Sequence, residues 1–228
     1  MELTAPALLR LMQLVSPALP VGTYSYSQGL EWAIEEGTVH DQRSAAIWIH
    51  DTLHYSIGRF EAPVWLRLYG AWQSGNIEQA GYWNDLLHKS RESAEFRAEA
   101  LQMGYSLVRL LVDMEAAPRD TLAPLEQLTP ITFAAAFTFA ASHWQIPALE
   151  GLLGYLWSWL ENQVSVSMKA VPLGQVSGQC LLNEVGATLP ALVEHIMTLQ
   201  DDSLCSATPA LAIAGCRHET QYSRLFRS

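Results

Sequence analysis

From Gln127 to Asn183 the chain carries only three formal charges, Glu150, Glu161 and Lys169. A helix that shows one face to water needs a polar stripe along that face, and this stretch cannot supply one. A membrane span does not explain it, because Pro130, Ser142, His143, Gln145 and Pro147 interrupt the apolar runs short of the ~20 residues that a crossing requires. Helices covered on most sides remain, either as a central core or as an interface between copies. Gly151, Gly154 and Ser158 fall on roughly one side of a helix, as do Gly174 and Gly178. Small residues let helix axes approach toward the short end of the usual range, about 8 Å, so the same two readings apply: tight internal packing or an intersubunit contact.

Elsewhere the apolar residues recur at helical spacing, and no stretch alternates over strand length between turn signals. The pattern predicts an all-α fold, one compact multi-helix domain over residues 1–228, long enough to bury about 70% of its unfolded surface. A first helix runs from about Pro6 to Val15 with Leu8, Leu11, Met12 and Val15 on one face. Ser16-Pro17 and Pro20-Val21-Gly22 stop it, since proline cannot continue the hydrogen-bond ladder. Leu30, Ala33 and Ile34 mark a short helix ended by Gly37. Asp41 caps the next, lined by Ile49, Leu53 and Ile57, and Pro63 starts a successor lined by Trp65, Leu68, Tyr69 and Trp72. Ser74 or Asn76 begins another. A longer helix presents Leu101, Tyr105, Val108 and Val112, and Pro118 and Pro124 mark a linker between two halves of the domain.

Composition removes several function classes. A net charge of -10 offers no clustered cations to displace the counterions of nucleic acid, and anionic membranes are excluded on the same ground. Glu2 and an N-terminal apolar run broken by Arg10 lack the pattern of a secretory leader, which predicts a cytoplasmic protein. Cys180, Cys205 and Cys216 form an odd set without CxxC spacing, read as reduced structural thiols. Cys205, Cys216 and His218 are the residue types for a soft metal, but their spacing is loose and reads as a buried thiol and a helix-end histidine. His50 and His54 read as a partly exposed pair on one helix face.

No phosphate-binding glycine loop and no strong metal pattern occurs. Ser27-Gln28-Gly29 has Ser25 where a nucleophile elbow has its first glycine, and Ser165 stands four residues before Lys169 where a catalytic pair needs three. The expectation is no catalytic residue, no metal ligand and no bound cofactor. Two segments exceed what a connector needs. The twelve residues from Ser16 to Ser27 carry Tyr24 and Tyr26, and tyrosine offers contact area at little entropic cost. The C-terminal segment combines Tyr222, Arg224, Leu225, Phe226 and Arg227, cations and apolar groups with little reason to be ordered alone.

These segments also carry a resemblance. The run from Leu8 to Glu31, with Ser16-Pro17-Ala18-Leu19-Pro20-Val21-Gly22 and Tyr24-Ser25-Tyr26-Ser27-Gln28-Gly29, resembles the N-terminal signature of the UreF urease accessory proteins. Lys169-Ala170-Val171-Pro172-Leu173-Gly174-Gln175 is similar to that family's central element, and the run from His218 to Ser228 to its C-terminal tail. The resemblance implies a non-catalytic, all-helical homodimer, a metallochaperone component that joins UreD (UreH in some organisms) and the GTPase UreG on urease apoprotein for GTP-dependent nickel insertion. Nickel and GTP are then handled by the complex. It further implies that the Ser/Pro/Tyr loop and a short flexible tail hold UreD, with Tyr24, Tyr222, Arg224, Leu225 and Phe226 as contacts. Lys169 becomes the candidate for GTPase coupling or the nickel path. Ala212 departs from the aspartate many members carry there. A lone buried ammonium is costly, so Lys169 should reach the surface or pair with Glu161 or Glu184. The rival reading is a small helical enzyme or ligand-binding protein with an apolar central pocket. That reading requires an enclosed pocket with converging acid, base or metal ligands.

Overall fold

The computed structural model describes residues 2–205 and 208–228. Its helices are α1 (Ala5–Leu14), α2 (Leu30–Glu35), α3 (Gln42–Asp51), α4 (Glu61–Gln73), α5 (Ile77–Lys89) and α6 (Ala94–Asp113), then α7 (Arg119–Gln127), α8 (Phe133–His143), α9 (Ala148–Ala170), α10 (Gln175–Gly186), α11 (Leu189–Thr198) and α12 (Pro209–His218). The described residues contain no strand, and no helix among them is long and apolar enough to cross a membrane. The all-α expectation holds.

Most of the charge-poor stretch, α8 and the greater part of α9, is the centre of the molecule. Every residue of α8 from Ala134 to Ala141 is buried, and the helix lies against α4 and α6. Its alanines supply short side chains, and Thr138, the one polar residue in that run, returns its hydroxyl to the Ala134 and Ala135 carbonyls at 2.8 and 3.0 Å. Buried Asn84 fixes the entry to α8, donating to the Pro130 carbonyl and accepting from Thr132 N–H, both at 2.8 Å. The glycines of α9 face the same core: a Cβ on Gly151 would stand 2.9 Å from Trp65, and one on Gly154 2.7 Å from Leu11. Gly178 admits Met168, whereas Gly174 faces open space. Internal packing therefore accounts for Gly151, Gly154 and Gly178, whereas Gly174 and the outer side of α10, with Val176 77% exposed, stay on the surface.

Local signals placed several boundaries correctly. Asp41 caps α3 by accepting from Ser44 N–H at 2.7 Å, Asn76 caps α5, and Gly37 turns the chain at φ +90° after α2. Ile49, Leu53 and Ile57 are buried, and the last two ride on a π turn, Thr52–Ser56, and a 3-10 turn, Ile57–Arg59.

Other expectations fail. In α1 the buried face is Ala7, Leu11 and Leu14, while Leu8 and Met12 are 43% and 58% exposed; apolar residues all round this helix left the choice to Gly154, which admits Leu11. In α6 the core face is Ala100, Met103, Gly104, Leu107 and Leu111, and Tyr105 is exposed, because Gly104 must lie under the backbone of Ile131–Phe133. α4 begins at Glu61, two residues before Pro63. The proposed linker is helical: Pro124 sits inside α7, and Leu122 and Leu125 on either side of it join the core. All three cysteines are exposed, not buried.

Candidate functional site

The loop before α2 and the segment after α12 are built into one another. Gln28 and Gly29 adopt positive φ (54° and 79°), and a Cβ on Gly29 would stand 3.0 Å from that of Ala214, so α2 starts in contact with α12. This turn aims the Ser27 and Gln28 N–H groups at the Ser228 carbonyl oxygen, 2.5 and 2.9 Å away. The Ser27 hydroxyl donates to the same oxygen. Upstream, Arg227 N–H donates to the Ser25 carbonyl at 2.8 Å, and Leu225 and Phe226 N–H donate to the Glu31 carboxylate at 2.5 and 3.0 Å.

Carboxylates hold the rest. Fully buried His218 at the end of α12 meets Glu95 through Nδ1 (2.7 Å) and Glu31 through Nε2 (3.0 Å). Arg224 reaches the other oxygen of Glu95 at 2.6 Å. Buried Glu99, one turn along α6, accepts from Gln28 Nε2 (2.6 Å) and the Ser228 hydroxyl (3.0 Å). Burial raises the Glu99 carboxyl to about 7, although Gln28, Arg91 and Ser228 pull the other way. On the opposite side α9 supports the loop: Tyr24 donates to Glu161 at 2.7 Å, Asn162 to the Tyr26 carbonyl at 2.9 Å and Trp159 to Gln28 at 2.6 Å. Burial first, then Glu161, pushes the Tyr24 hydroxyl well above its ordinary value.

The structure thus brings Tyr24, Arg224, Leu225 and Phe226 onto one platform and leaves Tyr222 wholly exposed beside it. The tail is docked rather than free, which corrects the expected flexible segment: Phe226 is 7% exposed and belongs to the core, while Leu225 is 73% exposed. Lys169 is exposed and pairs with no acid among the described residues; its ammonium lies over the Phe226 ring, 5.6 Å from the centroid, and Glu161 accepts from Tyr24. Sequence reasoning missed Glu31, Glu95 and Glu99 as anchors. The readable signal was that Glu99 interrupts the apolar face of α6.

The most enclosed cavity described among these residues is small. A cavity of about 60 Å³ lies between α4, α5, α6 and α9, lined by Glu61, Arg91, Glu99 and Tyr155 together with apolar side chains such as Phe96 and Met103. Substrate sites are typically ~300–1,000 Å³, whereas this holds a few waters. Three of its groups are spent on one another: Arg91 pairs with Glu61 at 2.5 Å, and Tyr155 donates to the same carboxylate. No set of three or more His, Cys, Asp or Glu among the described residues is placed to hold a metal. Cys216 points out and His218 in. His50 and His54 stack, partly exposed, at 4.2 Å.

The sequence model of the UreF family matches residues 39–186. The urease accessory protein UreF of Methylobacillus flagellatus is 52% identical over 97% of this chain and 98% of its own length. That of Azoarcus sp. is 53% identical over 97% and 95%, and that of Dechloromonas aromatica 49% over 99% of both. The chain belongs to the UreF family. The family is one of accessory proteins, so this member is not itself an enzyme. The matched core, residues 39–186, excludes both the loop and the tail, while the three relatives align over 97–99% of the chain.

Proposed function

We propose that this UreF family member is a scaffold in urease maturation, bridging UreD (UreH) and the GTPase UreG in the cytoplasm and modulating GTP hydrolysis for nickel delivery to urease apoprotein. Dimerisation belongs to the same reading, as does a role for Lys169 in GTPase coupling or the nickel path. The observation that supports it most is the loop-and-tail platform. An extensive set of buried carboxylate and backbone hydrogen bonds holds Leu225 and Tyr222 outward, where they do nothing for the chain's own core. Exposed aromatic and aliphatic groups on a rigid support are what an interface anchor needs. Tyr24 and Phe226 fix the platform from inside, leaving Tyr222, Arg224 and Leu225 as the outward contacts.

Removing the whole tail would strip Glu31, Glu95 and Glu99 of partners, so point changes are the cleaner test. Tyr222→Ala with Leu225→Ala should leave thermal unfolding unchanged, since exposed substitutions cost within about 0.5 kcal/mol. The same pair should weaken capture of UreD and lower urease activation in a reconstituted mixture. Full capture and activation by the folded double variant would defeat the reading.

A further inference from the structure

Between the loop and the tail runs an open groove of about 530 Å³ lined by Tyr24, Ser25, Lys169, Leu225, Phe226 and Arg227. Its charges have one sign. Lys169 and Arg227 are both exposed, and neither is paired with a carboxylate among the described residues. In a chain with 23 acids against 13 cations, two neighbouring cations without an acid are a feature to explain. The acid on that part of α9, Glu161, does not line the groove and accepts a hydrogen bond from the Tyr24 hydroxyl at 2.7 Å. Lys169 instead rests on the Phe226 ring, which keeps the ammonium at the groove wall and leaves its charge unneutralised. Arg227 is anchored by its own backbone to Ser25, so its guanidinium is presented from a fixed point beside the Tyr26 hydroxyl, whose pKa it lowers against the larger effect of burial. Phe226 and Leu225, the latter open to solvent, add an apolar part to the lining.

We propose that this groove receives an acidic segment of the partner protein, a carboxylate side chain between Lys169 and Arg227 flanked by an apolar side chain on Leu225. The assignment rests on the docking role proposed above and gives it a chemistry. Two cations at the wall of a groove select an anion, and the surrounding surface of this acidic chain repels one elsewhere, so the pair sets register as well as affinity. The apolar surface of Leu225 and Phe226 beside the cations favours a protein side chain over a bare phosphate or a polyanion.

The test uses the full chain and purified UreD as probe, with affinity measured at about 50 and 300 mM salt, which spans strong to weak screening. Lys169→Met with Arg227→Met keeps side-chain length and removes charge; it should bind about tenfold more weakly at low salt and lose most of the salt dependence. Lys169→Arg with Arg227→Lys should bind like the wild type. If the Met pair binds normally and keeps its salt dependence while Tyr222→Ala with Leu225→Ala binds weakly, the acidic-segment assignment is wrong and the docking role stands. If none of these changes weakens UreD, the docking role is wrong and the assignment goes with it. Two further outcomes overturn the assignment by naming another occupant. One is charge-dependent sedimentation with vesicles of phosphatidylserine and phosphatidylcholine (3:7). The other is a salt-sensitive self-association lost in the Met pair.

Discussion

At the scale of single residues, His218 concentrates the most consequence in the fewest atoms. Its ring closes a link from α2 through Glu31 to α6 through Glu95, and the same two carboxylates carry the backbone of Leu225 and Phe226 and the side chain of Arg224. Removing His218 takes one partner from each of two largely desolvated carboxylates, which keep only Arg224 and the tail's N–H groups. His218→Ala is therefore expected to cost about 3 kcal/mol or more, measured by urea unfolding. Loss of the tail's amide protection against hydrogen exchange should accompany it. A variant within about 1 kcal/mol of wild type, with protection intact, would show that the tail does not depend on this link. None of this was legible beforehand, because the residues involved lie as much as 195 positions apart and the sequence shows His218 only as a histidine near a helix end.

At the scale of elements, helix identity was readable and helix orientation was not. Caps such as Asp41 and Asn76 and the turn at Gly37 are local signals that work within a few residues. The faces of α1 and α6 were misread because each helix has apolar residues on several sides, and the decision falls to a close approach elsewhere: Leu11 onto Gly154, and Gly104 under the segment entering α8. The glycines of the charge-poor stretch also divide in a way that spacing does not show. Gly154→Val should destabilise by about 1–3 kcal/mol through overpacking against Leu11 and Val15. Gly174→Ala, with open space around it and an extended φ of -72°, should be neutral or slightly stabilising. Thermal unfolding of the two variants side by side checks the contrast, and equal losses would mean that Gly174 too is packed against something.

At the scale of the whole molecule, the shortage of charge between Gln127 and Asn183 translated directly into position, since α8 and most of α9 are the core around which the rest is arranged. The few ionisable groups inside then set how stability responds to pH. Glu99 has an ordinary value of 4.5 and a folded value of about 7. Between those values the folded chain holds a proton that the unfolded chain has released. The contribution is present in full below about 4.5 and is lost as pH rises through about 7. Glu99→Gln, which keeps the shape without the charge, should gain in melting temperature relative to wild type as pH is raised from about 5 to 8. Parallel melting curves across that range would show that Glu99 carries its charge inside the fold without penalty.

The meeting of Ser27 with Ser228, 201 residues away in the chain, has a consequence in time. Bringing together two points so distant costs about 5 kcal/mol of closure entropy in a chain that has not yet collapsed, and the few contacts of the loop and tail cannot meet that cost until the helices between them have packed. The platform is therefore among the last parts of the molecule to form. A partner that grips it engages only copies whose interior is already finished, so recognition at this face doubles as an inspection of completed folding.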